Sequence, residues 1–72
     1  MMNILEMITM NKLKQIRKIR GLTQRNLADY THISIKTLQA YEQGTRDIRK
    51  ASIDNINKIC DVLNCTEKDL LY

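Results

Sequence analysis

Apolar residues recur at helical spacing near the start of the chain. Leu13, Ile16 and Ile19 are separated by steps of three residues, with lysines and arginines between them, and Gly21 follows. Such steps place apolar side chains on one face of a helix, and glycine commonly follows the end of a helix. The pattern predicts a first helix that starts near Leu13 and stops at Gly21.

A second, shorter helix is predicted after Thr23. The Thr23 hydroxyl can accept a hydrogen bond from a backbone N–H of the first turn, which makes this residue a good N-cap. We expect Leu27, Ala28 and Tyr30 to point inward. The helix should end near Thr31–His32 with a residue in the left-handed conformation, which histidine tolerates better than most residues.

Ser34 is the next good N-cap and begins a third helix that runs to about Gln43, where Gly44 ends it. Its apolar residues, again at helical spacing, are Ile35, Leu38 and Tyr41. The polar residues between them include Lys36, Thr37 and Gln39. The third helix is therefore predicted to have a polar outer face.

Two more helices are predicted beyond a polar, basic loop at Thr45–Lys50. Ser52 caps the fourth helix, and Asn64 ends it in a left-handed turn. Its apolar stripe consists of Ile53, Ile56, Ile59, Cys60 and Leu63. Thr66 and Asp69 have the spacing of a capping box at the start of a short fifth helix.

The five predicted helices and the length of 72 residues indicate one compact all-α domain. The second and third helices are too short to be stable alone in water. The first, fourth and fifth helices must therefore supply the apolar surface that supports them. This arrangement would leave the polar side of the third helix exposed.

The composition argues against an enzyme and against a bound cofactor or metal. A chain of this length buries only about 60% of the surface of its unfolded form, which is too little for a deep catalytic cleft. The sequence has no glycine-rich phosphate loop, and its single histidine, His32, lies at a predicted turn. Cys60 and Cys65 are far from His32, so no four-ligand zinc set is present, and we interpret them as reduced core thiols.

Nothing in the sequence indicates export or membrane insertion. The first residues, MMNILEMITM, are apolar but lack a basic region and a small-residue cleavage site. No apolar run reaches the length that spans a membrane. With its reduced cysteines, the protein is predicted to be cytoplasmic.

Positive charge is concentrated in the middle of the chain. The formal net charge is +4, and residues 10–50 hold ten of the twelve lysines and arginines against three acidic residues, so this stretch carries +7. Residues 51–72 carry −2. This distribution favours an anionic partner for the middle stretch. Charge alone does not distinguish such a site from an ordinary solvated basic surface.

A family resemblance is carried by the run LKQIRKIRGLTQRNLADYTHISIKTLQAYEQGTRDIRKASIDNINKICDVLNCTEKDLL. It resembles the helix-turn-helix domain of the Cro and phage-repressor type, the XRE family, over about residues 12–71. The matching features are the RGLTQ segment, Leu27-Ala28, Ile33-Ser34 at the turn, Tyr41-Glu42 before Gly44, and the segment from Leu63 to Leu71 that ends the run. The resemblance implies a five-helix, lambda-repressor-like fold in which the second and third helices form the helix-turn-helix.

The same resemblance implies a sequence-specific transcriptional regulator that binds duplex DNA. Its expected form is a repressor that binds a palindromic operator as a homodimer, at least on DNA, through a recognition helix at residues 34–43. An alternative stays open, because small proteins of this family also serve as antitoxins or as regulators controlled by a protein partner. The main role would then be to bind that partner.

By position, the resemblance assigns base contacts to the recognition helix. The residues are Ser34, Ile35, Lys36, Thr37, Gln39 and Ala40. Lys36 can donate to guanine, Gln39 can pair with adenine through two hydrogen bonds, and Ala40 can meet a thymine methyl group. Ile35 stands where many relatives have a polar residue, and it would either contact a thymine methyl or pack inward. The alternative for each residue is a solvent-facing helix surface.

Contacts to the DNA backbone are implied at the start of the second helix and around the loop after the third. The residues are Gln24, Arg25, Gln43, Thr45, Arg46, Arg49 and Lys50. Gln24 lies at a helix N-terminus, where an anion is favoured. The alternative for Gln24 is ordinary solvated polarity.

The resemblance also implies a structural ion pair between Arg17 and Glu42 that ties the first helix to the third. The alternative is two unrelated surface charges, which would contribute little to stability.

Residues 1–9 lie outside the resemblance, so residues 10–72 are assigned to the helix-turn-helix domain and residues 1–9 to an N-terminal extension. The extension has no lysine or arginine, and a minor-groove contact is not expected of it. Ile4, Leu5 and Ile8 favour a continuation of the first helix or a contact between subunits.

Overall fold

The computed structural model describes residues 11–72, which form five α-helices and a short 3-10 turn. They are α1 (Lys12–Ile19), α2 (Gln24–Thr31), α3 (Ile35–Gln43), the 3-10 turn (Ile48–Lys50), α4 (Ile53–Leu63) and α5 (Glu67–Leu71). The predicted all-α fold with five helices is confirmed. The extension predicted at residues 1–9 lies outside the described residues.

Side-chain caps begin the helices where the sequence predicts them. Thr23, Ser34, Ser52 and Thr66 each accept a hydrogen bond from the backbone N–H three residues on. At Thr23 and Thr66 the side chain of the third helical residue also accepts a hydrogen bond from the backbone N–H of the capping threonine, so both sites are capping boxes. Such caps supply partners for the N–H groups that a helix start leaves without intrahelical acceptors.

Left-handed residues end α2, α3 and α4, as predicted. His32, Gly44 and Asn64 have φ angles of 58°, 80° and 51°. At Gly44 the positive φ sends the chain from the end of α3 into the loop that follows, and glycine adopts this conformation without the strain that a side chain brings.

The core lies where all five helices meet. α2 packs on both α3 and α4, while α5 packs on α1 and α4. The large side chains that are almost completely buried are Leu13, Leu27, Leu38, Ile59, Leu63 and Leu70. α1, α4 and α5 therefore support the two short helices, as the sequence pattern requires.

Three apolar side chains expected to face inward are exposed instead: Ile19 by 60%, Tyr30 by 62% and Ile53 by 76%. In α1 and α2 the inward positions are taken by Arg17 and Thr31, both buried. Ile19 follows Arg17 by two residues and Tyr30 precedes Thr31 by one, so both point away from the core. Ile53 keeps the register of the α4 stripe but lies in the first turn, beyond the packed part of that helix.

The loop Thr45–Lys50 is more regular than predicted. Ile48 is half-buried and packs against the core, and the 3-10 turn begins there. The Asp47 carboxylate caps this turn by accepting a hydrogen bond of 3.0 Å from the Arg49 backbone N–H. An apolar anchor and a cap therefore give the basic loop a defined shape.

Cys60 is buried, Cys65 is half-buried, and both are free thiols. Within residues 11–72 there is no group of His, Cys, Asp or Glu side chains suited to hold a metal ion. None of the helices described has the length and apolar character that crossing a membrane requires.

Candidate nucleic-acid interface

The turn between α2 and α3 is fixed by one buried threonine. Thr31 Oγ1 donates a hydrogen bond of 2.7 Å to the Leu27 carbonyl and accepts one of 3.3 Å from the Ile33 N–H. His32, between them, takes the left-handed conformation, and Ile33 is buried beneath the turn. Sequence reasoning placed the turn correctly but gave Thr31 no role, because a threonine in a helix usually lies on the polar face.

α3 presents one face to the core and the other outward. Leu38 and Tyr41 are buried, whereas Lys36 and Gln43 are exposed. The expected polar outer face is thus found, but it is not uniformly exposed. Thr37, Gln39 and Ala40 are half-buried along its edges.

The first turn of α3 is occupied by local hydrogen bonds. Ser34 Oγ accepts the Thr37 N–H at 3.1 Å and lies 2.9 Å from Thr37 Oγ1. Ile35 is half-buried and packs against the core, which is one of the two alternatives that the sequence left open. Of the first three predicted base-contacting positions, Ser34 and Lys36 are exposed and Ile35 is half-buried.

A network of polar contacts joins the last turn of α1 and the start of α2 to the middle and end of α3. Arg17 Nε donates to Glu42 Oε2 at 2.6 Å, and Arg17 Nη2 donates to Glu42 Oε1 at 2.8 Å. Gln24 Nε2 reaches the same Oε1 at 3.2 Å. Gln39 Nε2 then makes a longer contact of 3.4 Å with Gln24 Oε1.

The ion pair between Arg17 and Glu42 is buried, with side-chain exposures of 7% for Arg17 and 2% for Glu42. Arg17 Nη1 also donates to the Leu22 carbonyl at 2.7 Å. A buried charge without partners would be costly, so these contacts are required for both side chains to lie inside the domain. The sequence offered no signal that Gln24 joins the pair and supports Gln39.

The loop after α3 folds back onto the end of that helix. The Arg46 N–H and the Thr45 hydroxyl both donate to the Ala40 carbonyl, each at 3.3 Å. The Arg46 guanidinium lies 5.6 Å from the centre of the Tyr41 ring, within the range of a cation–π contact. Two predicted phosphate-contacting residues are therefore held beside the C-terminal half of α3.

The other basic residues of the loop differ in their surroundings. Arg49 and Lys50 are both exposed. Arg49 Nη2 pairs with Asp47 Oδ2 at 3.0 Å, and the hydrogen bonds from Arg49 hold the pKa of Asp47 below its ordinary value. We name the exposed cations Arg46, Arg49 and Lys50 the basic ridge.

At the start of α2, Arg25 is exposed and Gln24 is half-buried. Ordinary solvated polarity, the alternative considered for Gln24, does not describe its contacts with Glu42 and Gln39. The structure brings the start of α2 against α3 through these contacts, and it holds Arg46 of the basic ridge beside α3 through Ala40 and Tyr41. Of the predicted base and phosphate positions, the structure thus places Gln24 against α3 at one end and Arg46 against it at the other.

Comparisons with known proteins agree with this arrangement. A family model described as Helix-turn-helix matches residues 13–70. The chain is 42% identical over 50 residues to the uncharacterized HTH-type transcriptional regulator YqaE of Bacillus subtilis (strain 168). That alignment covers 69% of this chain and 43% of the relative, so the chain spans less than half of the relative's length. No solved structure matches the chain significantly.

The family match extends from α1 to α5 and includes the buried turn, the outward face of α3 and the loop that follows it. It therefore confirms the resemblance drawn from the RGLTQ segment and the Tyr41-Glu42 pair. The chain belongs to the helix-turn-helix family, in its Cro and phage-repressor (XRE) branch, whose members are non-enzymatic DNA-binding transcriptional regulators.

Proposed function

We propose that this chain is a transcriptional repressor that binds a palindromic operator as a homodimer and inserts α3 into the major groove. The proposal is carried by the placement of α3. Its apolar face is buried in the core, its opposite face carries the exposed Lys36, and Arg46 of the basic ridge lies over Tyr41 near its C-terminal end. A major groove admits a helix presented in this way, while cations at its edge meet the phosphates.

Lys36 and Gln39 are the residues we propose for direct base recognition. Lys36 is exposed and can donate to guanine O6 and N7. Gln39 uses one Nε2 hydrogen on Gln24, which leaves its second Nε2 hydrogen and its Oε1 for the N7 and N6 groups of adenine. Thr37 and Ala40 lie beside them at the edge of the same face, where a thymine methyl group could be contacted.

Phosphate contacts are proposed at both ends of this surface. Gln24 has one Nε2 hydrogen left after its bond to Glu42, and the N-terminus of α2 favours an anion. Arg25 is exposed in the same turn. At the other end, Gln43, Thr45 and the basic ridge would bind the backbone that flanks the groove.

A dimer is proposed because one recognition helix reaches only a few base pairs. Two copies related by a two-fold axis would contact two half-sites, which extends the sequence that is recognised and requires it to be palindromic. Repression is the simplest consequence of such binding, since an occupied operator excludes other proteins from the same DNA.

The test is a selection of bound duplexes from a random pool with the full chain. We expect enrichment of a two-fold palindrome with half-site centres one helical turn apart, about 10 base pairs. Sedimentation of the complex with the selected duplex should give two chains per duplex. Recovery of random sequences without enrichment would refute the proposal, and a stable protein partner found together with that result would favour the antitoxin-type alternative.

A further inference from the structure

We propose that Asn11 is a positioning residue for the recognition helix. Its carboxamide caps the N-terminus of α1 and also donates hydrogen bonds to the last turn of α3. This inference rests on the proposed function, because it assigns Asn11 a part in DNA recognition. No motif in the sequence singles out this residue.

The Asn11 side chain has partners on both of its polar atoms. Oδ1 accepts a hydrogen bond of 3.0 Å from the Lys14 N–H and so caps α1. Nδ2 donates at 2.6 Å to the Tyr41 carbonyl and at 2.9 Å to the Glu42 carbonyl. The last carbonyls of a helix lack intrahelical donors, and here a residue thirty positions earlier in the chain supplies them.

These contacts hold the last turn of α3 at a second point. The Glu42 carboxylate is bound by Arg17, and the Glu42 carbonyl is bound by Asn11, so one residue of α3 is attached to α1 through both its side chain and its main chain. Leu38 and Tyr41 pack α3 against the core. The contacts of Asn11 and Arg17, six residues apart in the sequence, add two polar attachments that hold its last turn against α1.

The same turn holds Arg46, the first cation of the basic ridge. The Tyr41 carbonyl that accepts from Asn11 also accepts the Gly44 N–H at 3.3 Å, and the Tyr41 ring lies under Arg46. Displacement of this carbonyl would therefore move the glycine turn and the first cation of the basic ridge. Asn11 thereby acts on the DNA-binding surface without being part of it.

The chemistry of asparagine allows its two roles to be separated by substitution. Asn11→Asp keeps an oxygen that caps α1, but an ionised carboxylate has no hydrogen to donate and would repel the two carbonyl oxygens. Asn11→Ser also caps helices well, and its neutral side chain is too short to bridge to α3 while it caps α1. Both variants should retain α1 and release the end of α3.

The experiment measures the affinity of each variant for the selected duplex and for a random duplex, under conditions where all proteins are more than about 95% folded. We expect the ratio of the two affinities to fall about threefold to tenfold in Asn11→Ser and Asn11→Asp, because two hydrogen bonds that orient α3 are lost. The control is Ser52→Ala, which removes a comparable N-cap from α4 without touching α3. Its ratio should stay at the wild-type value.

A merely structural Asn11 would lower the melting temperature and leave the ratio as it is in Ser52→Ala, and that result would overturn the inference. Hydrogen exchange of the Gly44 and Arg46 amides gives a readout that needs no DNA. Exchange at both should be faster in the two Asn11 variants than in the control, and equal rates would also overturn the inference. Loss of sequence preference in the wild-type protein itself would instead refute the proposed function.

Discussion

The guanidinium of Arg49, in the basic ridge, forms a bidentate ion pair with the carboxylate of Asp47. Nε and Nη2 of Arg49 lie 3.1 and 3.0 Å from the two carboxylate oxygens of Asp47. The Asp47 carboxylate is ionised throughout the neutral range, and these hydrogen bonds lower its pKa further below the ordinary value. The free protein therefore presents Arg49 paired with a carboxylate, and a phosphate that binds Arg49 must compete with Asp47.

We predict that Asp47→Asn strengthens DNA binding. The substitution removes the charge that competes with a phosphate for Arg49, so log K should fall more steeply with log salt, by up to about 0.9 for one additional phosphate contact. Affinity for selected and random duplexes should rise alike, several-fold at low salt.

The matched control is Asp61→Asn, which makes the same change in net charge on an exposed carboxylate of α4. Titrations followed by fluorescence anisotropy over a range of salt concentrations give both slopes. Equal slopes in the two variants would show that Asp47 does not restrain Arg49.

Substitution of Gln24 should change specificity although our proposal gives Gln24 only a phosphate contact. Gln39→Ala is expected to cost about 1 to 3 kcal/mol with the selected duplex and to relax the preference at one base pair. Gln24→Ala should relax the same base pair to a smaller extent, because it removes the acceptor that orients Gln39.

Duplexes with each of the four base pairs at that position, tested by competition, give the measurement. Lys36→Ala serves as the comparison, since its effect should fall on a different base pair. A Gln24→Ala protein that binds all four duplexes more weakly, in the wild-type order of preference, would limit Gln24 to a phosphate contact.

Local signals made most of the fold predictable. Caps at Thr23, Ser34 and Ser52 and left-handed ends at Gly44 and Asn64 depend on residues near one another in the chain, and the structure has them where the pattern predicts. Each is a property of residue type and spacing that does not require knowledge of the tertiary contacts.

What the pattern missed depends on contacts distant in sequence. Ile19 and Tyr30 are exposed because Arg17 and Thr31 take the inward positions, and a buried arginine is acceptable only where a partner such as Glu42 meets it. Helical periodicity treats arginine as a surface residue, so it shifts the apolar face to the wrong side. The support of Gln39 by Gln24 is missed for the same reason.

Glu42→Ala should destabilise the domain severely. It leaves the Arg17 guanidinium buried and without its carboxylate, at an expected cost of about 3 to 5 kcal/mol. For 72 residues the total free energy of unfolding is of the order of 4 to 11 kcal/mol, so this loss would remove a large part of the domain's stability.

Urea denaturation followed by circular dichroism at the helical band measures this loss. Asp54→Ala, which breaks the exposed pair between Lys58 and Asp54, is the control and should change stability by no more than about 0.5 kcal/mol. If Glu42→Ala lost no more than this control, the buried pair would not be needed to hold α3 in place.

The buried thiol of Cys60 should make the domain less stable in alkali. Burial, with smaller contributions from Cys65 and other neighbouring groups, raises the pKa of Cys60 to about 11 from its ordinary value of 9.0. The folded state thus keeps a proton that the unfolded chain loses between these two values. The stabilisation is fully present below pH 9 and declines as the pH rises towards 11, by about 2 kcal/mol at pH 10.5.

Comparison with Cys60→Ala removes the Cys60 thiol, and the remaining titrating groups are common to both proteins; of these, Cys65 loses its hydrogen bond with Cys60. Under reducing conditions, the free energy of unfolding should fall more between pH 7.5 and 10.5 in the wild type than in the variant, and the difference should approach about 2 kcal/mol. The variant also loses some packing at every pH, which shifts its curve without changing the slope. Parallel curves would mean that the Cys60 thiol ionises as readily in the folded domain as in the unfolded chain, and its surroundings would then be more open to water than its burial indicates.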